Sequence, residues 1–337
     1  MKLIQAKDHY SALMKEYKGY IDTWDAIYKL DSNQTNSTEE LFKDVKKNLI
    51  DTGYFAAEEM IRLITDAWKK NLHYSQGYID LMERIFKEYN FTDDLYKKFV
   101  PIILSYEEII INDDVEGLLN FINNEAYDLT KLLELCCLRG AINCFKLLKD
   151  DFNMEITKKC LDNSFKGGNQ YIINECLKEQ NPDKETMEAA IQSHNIDNFK
   201  KLFFETNIQI RIKCMVKYKN LHAFIYYLNR TNDLDTCFLF SPYFNIPSFC
   251  EYLYANGANM SSMSTDGDST LDIAVLTNHT ETASFLISKG IEMDEKAFYY
   301  AVSSNSTVMV ELLVSHGADV NFREKKILVF QCFILLA

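Results

Sequence analysis

The most regular feature of the chain is an apolar–polar pattern that ends each time on a glycine. An apolar pair and two spacer residues precede Gly257, Gly290 and Gly317 alike. The first two glycines are 33 residues apart and the last two are 27 apart. A recurrence with a period of this size predicts a stack of similar helical units. Each glycine is predicted to end a helix in the left-handed conformation, where a Cβ atom costs about 1 kcal/mol.

A second recurring signal marks the start of one helix in every copy. It consists of short stretches such as TVMV, TETA, LHAF and INCF, which follow one another in steps of 25 to 34 residues. The predicted starts are Ile142, Gln170, Ile196, Leu221, Ile246, Thr280 and Thr307. The segment that begins at Asp114 is interpreted as a degenerate first copy. We therefore expect an array of helix pairs over residues 103–322, with the clearest copies over residues 249–322.

Residues 267–287, together with Gly290 just after them, carry the motif that identifies these copies. The positions that hold it are Gly267, Thr270, Leu271, Ala274, His279, Glu281, Leu286 and Gly290. This pattern resembles the ankyrin repeat, although Asp272 stands where histidine is usual and Asn278 where glycine is usual. The resemblance implies an all-α ankyrin-repeat solenoid. Most copies have short or missing fingers, similar to those in the expanded ankyrin-repeat families of single-celled parasites.

The residue types at the motif positions have physical reasons. Small residues, Ala274 and Ala301, allow the first helix of a copy to pack closely on its partner. The turn between the two helices needs a residue that tolerates the left-handed conformation, which suits Asn278 and Asn305. The pattern therefore predicts left-handed turns at these two asparagines.

Residues 1–102 do not show the repeat, but their apolar residues follow helical stripes. Leu41, Val45 and Leu49 form one such stripe, and similar stripes occur over 55–67 and 79–89. We expect either an N-terminal helical cap for the array, since solenoids need capped ends, or a separate helical module.

The C-terminal tail, residues 323–337, ends in the apolar run ILVFQCFILLA. The run is too short to span a bilayer as a helix. Two interpretations stay open. The tail is a helix that covers the last repeat, or it is the product of a truncated or frameshifted gene.

Charge and cysteine content narrow the function and the compartment. The net charge of −13 disfavours binding to nucleic acid or to anionic membranes, which requires a basic surface. The nine cysteines lie in apolar helical patterns, as reduced core thiols do. The N-terminus has no apolar signal segment. These features predict a cytoplasmic protein, with the nucleus as the second option.

The residues that could support catalysis or ligand binding are better explained by structural roles in the repeats. His194, His279 and His316 recur at turn or cap positions, where they are expected to hydrogen-bond the backbone. Cys136 occupies the small-residue position of its copy, and Gly167-Gly168 lies at a helix-pair turn without a following Lys-Ser/Thr. No zinc or calcium spacing is complete. We expect no catalytic residues, no metal, no cofactor and no small-molecule ligand.

The resemblance implies a non-catalytic scaffold or adaptor that binds protein partners through the concave face of the array. The contact positions of ankyrin arrays map onto Thr265, Asp266, Asp268, Leu276, Thr277, Ser303 and Ser304. The same phase in earlier copies gives Leu138, Arg139, Gln192 and Ser193. The alternative is an enzyme or a host-directed effector whose activity lies in the N-terminal helices and whose repeats recruit the target.

Overall fold

The structure, a computed structural model, describes residues 10–30, 35–71, 76–91, 105–125 and 127–318. Every regular element in these ranges is helical, as the sequence predicts. The chain divides into two compact units, Met1–Asn232 and Asp233–Ala337. The tail at residues 323–337 lies outside the described residues. The proposed domain limits at residues 102 and 322 stay predictions.

The N-terminal segment forms helices α1 Lys18–Tyr28, α2 Thr35–Val45, α3 Ala57–Asn71 and α4 Gln76–Glu88. The stripe of Leu41, Val45 and Leu49 is buried, as predicted. Aromatic rings fill the space between these helices. Trp24 meets Phe55 edge to face with ring centroids 5.8 Å apart, which is a favoured aromatic geometry.

Helix pairs follow the N-terminal helices in the first unit. They are α5 Ser105–Ile111 with α6 Val115–Asn124, α7 Leu129–Arg139 with α8 Ile142–Lys146, α9 Lys158–Gly167 with α10 Gln170–Glu179, α11 Lys184–Gln192 with α12 Ile196–Glu205, and α13 Ile212–Lys217 with α14 Leu221–Thr231. A π-helical turn, Leu147–Asp151, extends α8. Short connections join successive pairs, as predicted for copies without fingers.

The second unit contains α15 Leu234–Phe240, α16 Pro247–Ala255, α17 Thr270–Leu276, α18 Thr280–Ser288, α19 Glu295–Ser303 and α20 Thr307–Ser315. The longest connection between the helices described in this unit joins α16 to α17 and forms a finger. Six of the seven predicted second-helix starts agree with the structure to the residue, and α16 begins at Pro247 rather than Ile246. The degenerate copy at Asp114 is confirmed as the pair α5 and α6, with Asp114 as the N-cap of α6.

One backbone feature recurs in all eight described helix pairs. The residue two positions before each second helix has a positive φ, as predicted for Asn278 and Asn305. The eight residues are Asp113, Gly140, Gly168, His194, Lys219, Asn245, Asn278 and Asn305. Glycine, asparagine and aspartate tolerate this conformation, whereas other side chains pay a steric cost. His194 and Lys219 are therefore the two exceptions that need a local explanation.

The explanation is that both exceptional side chains contact the N-terminal segment. The imidazole Nδ1 of His194 lies 2.8 Å from a carboxylate oxygen of Asp25 on α1, and its ring stacks on Tyr28. The ammonium group of Lys219 lies 5.4 Å from the ring centre of Phe55, a cation–π distance. The N-terminal helices thus pack on the turns of the fourth and fifth helix pairs.

Successive first helices pack side by side, and small residues permit the close approach. A Cβ atom on Gly167 of α9 would lie 2.5 Å from the carbonyl oxygen of Leu138 and 2.6 Å from that of Cys137. The predicted small-residue positions at Cys136, Ala274 and Ala301 are fully buried. Phenylalanine fills the matching core position of the second helices, at Phe145, Phe199, Phe224 and Phe249.

Candidate protein-binding surface

The finger before α17 presents two of the predicted contact residues to solvent. The hydroxyl of Ser264 accepts hydrogen bonds from the backbone amides of Asp266, at 3.2 Å, and Asp268, at 3.0 Å. The amide of Gly267 donates to the carbonyl of Ser264 at 2.9 Å. These bonds fix the turn, and Thr265 and Asp266 are exposed at its tip.

Asp268, also predicted as a contact residue, instead makes its contacts with other residues of the same chain. Its carboxylate accepts a hydrogen bond of 3.0 Å from the hydroxyl of Tyr300 and pairs with Lys296 at 2.5 Å. Only 15% of its side-chain surface is exposed. The carboxylate raises the pKa of Tyr300, whose burial is the larger cause. Asp268 therefore joins the finger to α19, and a substitution there would disturb the fold.

The other predicted residues of the second unit lie at the C-terminal ends of two packed first helices. Leu276 is 37% exposed at the end of α17, and Ser303 and Ser304 are exposed at the end of α19. Thr277 is half-buried, and its hydroxyl donates to the carbonyl of Ile273 at 2.7 Å. Val302, which the motif mapping omits, is 52% exposed beside the two serines.

These residues form two groups at opposite ends of the first helices. The finger tip, Thr265 and Asp266, lies before the N-terminus of α17. Leu276, Val302 and Ser304 lie at the C-terminal ends of α17 and α19. A seven-residue helix is about 10 Å long at 1.5 Å per residue. We name the two groups together the first-helix face of the second unit. It offers polar groups at one end and exposed aliphatic carbon at the other.

The four positions mapped onto the first unit are placed differently. Leu138, Gln192 and Ser193 are buried, and the side chain of Arg139 is only 4% exposed. Leu138 is covered because Gly167 lets α9 approach α7 closely. The hydroxyl of Ser193 donates to the carbonyl of Ala190 at 2.9 Å. Motif phase alone does not distinguish these tightly packed copies from the open ones of the second unit.

Arg139 is a buried cation with few partners. Its Nη2 atom lies 3.8 Å from Glu107, while Nε and Nη1 have no hydrogen-bond partner. Burial lowers the pKa of Arg139 to about 10, which the opposing effect of Glu107 does not cancel. The packing of α5 on α7 therefore includes the free-energy cost of burying this guanidinium group.

The first unit also carries an open pocket of about 150 Å³ between its first helices. Helix α9 contributes Lys159, Asp162 and Lys166. Helix α11 contributes Glu185, Glu188 and Gln192, and Tyr218 after α13 closes one side. Gln192 is the one predicted first-unit residue that lines this pocket. Sequence reasoning missed the other residues because their charges look like an ordinary solvated helix face.

The histidines of the repeats bind backbone carbonyls, as predicted. Nε2 of His194 lies 2.8 Å from the carbonyl of Tyr218, Nδ1 of His279 lies 2.7 Å from that of Pro242, and Nδ1 of His316 lies 2.8 Å from that of Leu312. The first two bonds connect neighbouring copies. His194 and His279 therefore each join two successive helix pairs.

The cysteines of the described ranges are free and buried. Cys332 lies outside those ranges. Burial is the main cause that raises the pKa of Cys137 and of Cys237, which keeps such thiols protonated and unreactive. Within the same ranges, no group of three or more His, Cys, Asp or Glu residues is placed to hold a metal ion.

Two family models match the chain. One, described as ankyrin repeats in three copies, covers residues 240–324. These residues are ankyrin repeats. The other match, over residues 152–227, is to a domain of unknown function named DUF3447. The helix pairs of this second region share the turn geometry and pairing of the ankyrin repeats, but without fingers.

Among solved structures, the chain is similar to the human ASB11 ankyrin repeat domain. The match has 15% identity, covers 66% of this chain and 88% of that one, and has a TM-score of 0.23. A score of this size carries no argument about fold, so the assignment rests on the repeats themselves. No curated protein matches the chain. Of the helices that the structure describes, none has the length and apolar character needed to cross a membrane.

Proposed function

We propose that this protein is a non-catalytic scaffold that binds a partner protein through the first-helix face of its second unit. The observation that carries the proposal is the exposure of Leu276 and Val302, at 37% and 52%, at the ends of two packed helices. Exposed aliphatic carbon beside polar groups is typical of protein interfaces. The fixed finger and the packed helices lose little conformational entropy on binding.

The charge and the cysteines support the same proposal. A net charge of −13 disfavours nucleic acid as the partner. The free, buried thiols suit a reducing compartment, so we place the protein in the cytosol or the nucleus. The N-terminal helices use Asp25, Phe55 and Glu59 to hold the turns of the fourth and fifth pairs. We therefore assign these helices a structural role and propose no enzymatic activity.

Affinity capture with matched variants tests the proposal. The face variant is Leu276→Ala with Asp266→Lys, and Asp268 stays unchanged because it joins the finger to α19. The control is Val308→Ala with Glu281→Lys, which makes the same chemical changes at exposed positions on the second helices. We expect partners that the wild type and the control retain at equal levels and that the face variant loses. Equal retention by all three proteins, with intact helical content, would refute the proposed face.

A further inference from the structure

The pocket between α9 and α11 is lined by two lysines that lie outside the ion pairs around it. Each of its three carboxylates is already matched. Asp162 pairs with Lys158 at 2.6 Å, Glu185 with Arg211 at 3.4 Å, and Glu188 with Lys217 at 2.9 Å. Lys159 and Lys166, in contrast, form no ion pair with any described residue. Asp162 and Glu188 offset part of the charge of Lys166, but neither lysine takes part in a direct ion pair with a described residue.

The two lysines lie about 10 Å apart along one helix, at 1.5 Å per residue. They lie seven residues apart on α9, which is two helical turns and hence the same side of the helix. Lys166 is half-buried, and its pKa is lowered, first by burial and then by the charge of Lys159, whereas Asp162 and Glu188 act in the opposite direction. An anion placed between the two ammonium groups would relieve both effects.

The walls of the pocket are rigid, which favours recognition over a loose surface contact. Lys158 forms ion pairs with Asp162 at 2.6 Å and with Asp183 at 2.9 Å, so it ties α9 to α11. On the other side, the hydroxyl of Tyr218 donates to Glu188 at 2.8 Å. These bonds fix the carboxylates in place and pair them with cations other than Lys159 and Lys166.

The size of the pocket selects the kind of occupant. Its volume of about 150 Å³ is below the roughly 300–1,000 Å³ of sites that enclose a small-molecule ligand or cofactor. It suffices for one side chain presented from outside. The pocket is open, and it lies on the same side of the helix pairs as the predicted contact position Gln192. A carboxylate side chain of a protein segment satisfies the size, the charge and the access.

We infer that the pocket lined by Lys159 and Lys166 binds an aspartate or glutamate side chain of a partner protein. The inference rests on the proposed function, because it assumes a protein partner, but it concerns a site in the other unit. All the residues that form it lie within residues 152–227, the match to the domain of unknown function. The site gives that region a specific chemical role, which is recognition of an acidic segment.

Selection from a phage-displayed library of random dodecapeptides tests the inference on the full-length protein. The pocket variant is Lys159→Gln with Lys166→Gln. The control, Lys131→Gln with Lys178→Gln, removes the same two charges from exposed lysines outside the pocket. We expect the wild type and the control to enrich peptides rich in Asp or Glu, and the pocket variant to lose that enrichment. A selected peptide, labelled and measured by fluorescence anisotropy, should bind the pocket variant at least tenfold more weakly.

Three results would overturn the inference. They are the absence of any enriched peptide, enrichment without acidic residues, and equal binding of the selected peptides to the pocket variant. Displacement of a selected peptide by an equimolar amount of inorganic phosphate would identify a free anion as the occupant and would also overturn it. Loss of captured partners in the Leu276→Ala, Asp266→Lys variant alone would leave the proposed function standing without this pocket.

Discussion

The imidazole of His194 lies 2.8 Å from the carboxylate of Asp25 through Nδ1 and 2.8 Å from the carbonyl of Tyr218 through Nε2. Both neighbours are acceptors. The pKa of Asp25 is held below its usual range by hydrogen bonds from His194 and His222, which outweigh the effect of burial. The two contacts place His194 between helix α1 and the fifth helix pair.

This relationship predicts the effect of His194→Asn. Asparagine suits the left-handed turn better than histidine, a gain of about 1 kcal/mol. Loss of the hydrogen bonds to Asp25 and to the carbonyl of Tyr218 leaves two acceptors with fewer donors and costs about 2–4 kcal/mol in total, so we expect a net destabilisation of about 1–3 kcal/mol. Urea unfolding measures the change, and hydrogen exchange should rise most in residues 18–28. His316→Asn, at an exposed position, serves as the control and should change neither. Unchanged exchange in residues 18–28 would contradict the proposed role of the pair.

A second prediction concerns the approach of α9 to α7. Gly167→Ala places a methyl group 2.5 Å from the backbone oxygen of Leu138, where no side chain can rotate away. We expect a loss of about 2 kcal/mol, since overpacking costs about 1–3 kcal/mol and exceeds the gain in helix propensity.

Gly117→Ala is the control for this change. Gly117 is also helical, but the new methyl group meets only the side chain of Asp114, which can move. Its effect should stay within about 1 kcal/mol. Urea unfolding of the two variants measures the difference. Equal stability of both would show that the backbone contact at Leu138 is not limiting.

The third prediction follows from a buried carboxyl group in the ankyrin repeats. Asp272 is fully buried with one oxygen unpartnered. Burial raises its pKa to about 6, and the neighbouring Asp294 adds to the effect. A carboxyl whose folded pKa is raised stabilises the fold at low pH, and this contribution disappears as the pH rises through the folded value. We expect the second unit to lose stability between about pH 4 and pH 6, by up to about 3 kcal/mol.

Hydrogen exchange of peptides from residues 270–303 follows this unit directly. Asp272→Asn should remove most of the pH dependence, because its amide stays neutral throughout. Comparing variant and wild type at each pH cancels the intrinsic pH dependence of exchange. If exchange of the two proteins differs equally at pH 4 and pH 7, the carboxyl group of Asp272 does not titrate in this range.

The helix pairs could be predicted from the sequence because their signals are local. A second-helix start such as Thr280 or Ile196 depends on a turn residue and an apolar stripe a few positions away. The left-handed turns at Asn278 and Asn305 follow from residue type alone. The predictions therefore agree with the structure almost to the residue.

The candidate site was harder to predict because exposure depends on contacts between distant residues. Leu276 and Leu138 occupy the same position of the repeat, yet Leu276 is exposed and Leu138 is buried. The difference arises because Gly167 allows α9 to pack closely against Leu138. The same limit applies to His194, whose partner Asp25 is 169 residues away. Lys159 and Lys166 become notable only once the nearby carboxylates are seen to pair with other cations, some of them from a neighbouring helix.

The most direct test of the central claim is site-specific photo-crosslinking from the first-helix face. A benzophenone amino acid at Ser304 lies on that face, and the same residue at Val308 lies on the adjoining second helix. Both positions are exposed. Irradiation in cell lysate should produce a discrete crosslinked partner from position 304 that is absent from position 308. Equal crosslinking from both positions, or none from position 304, would contradict a scaffold that binds through this face.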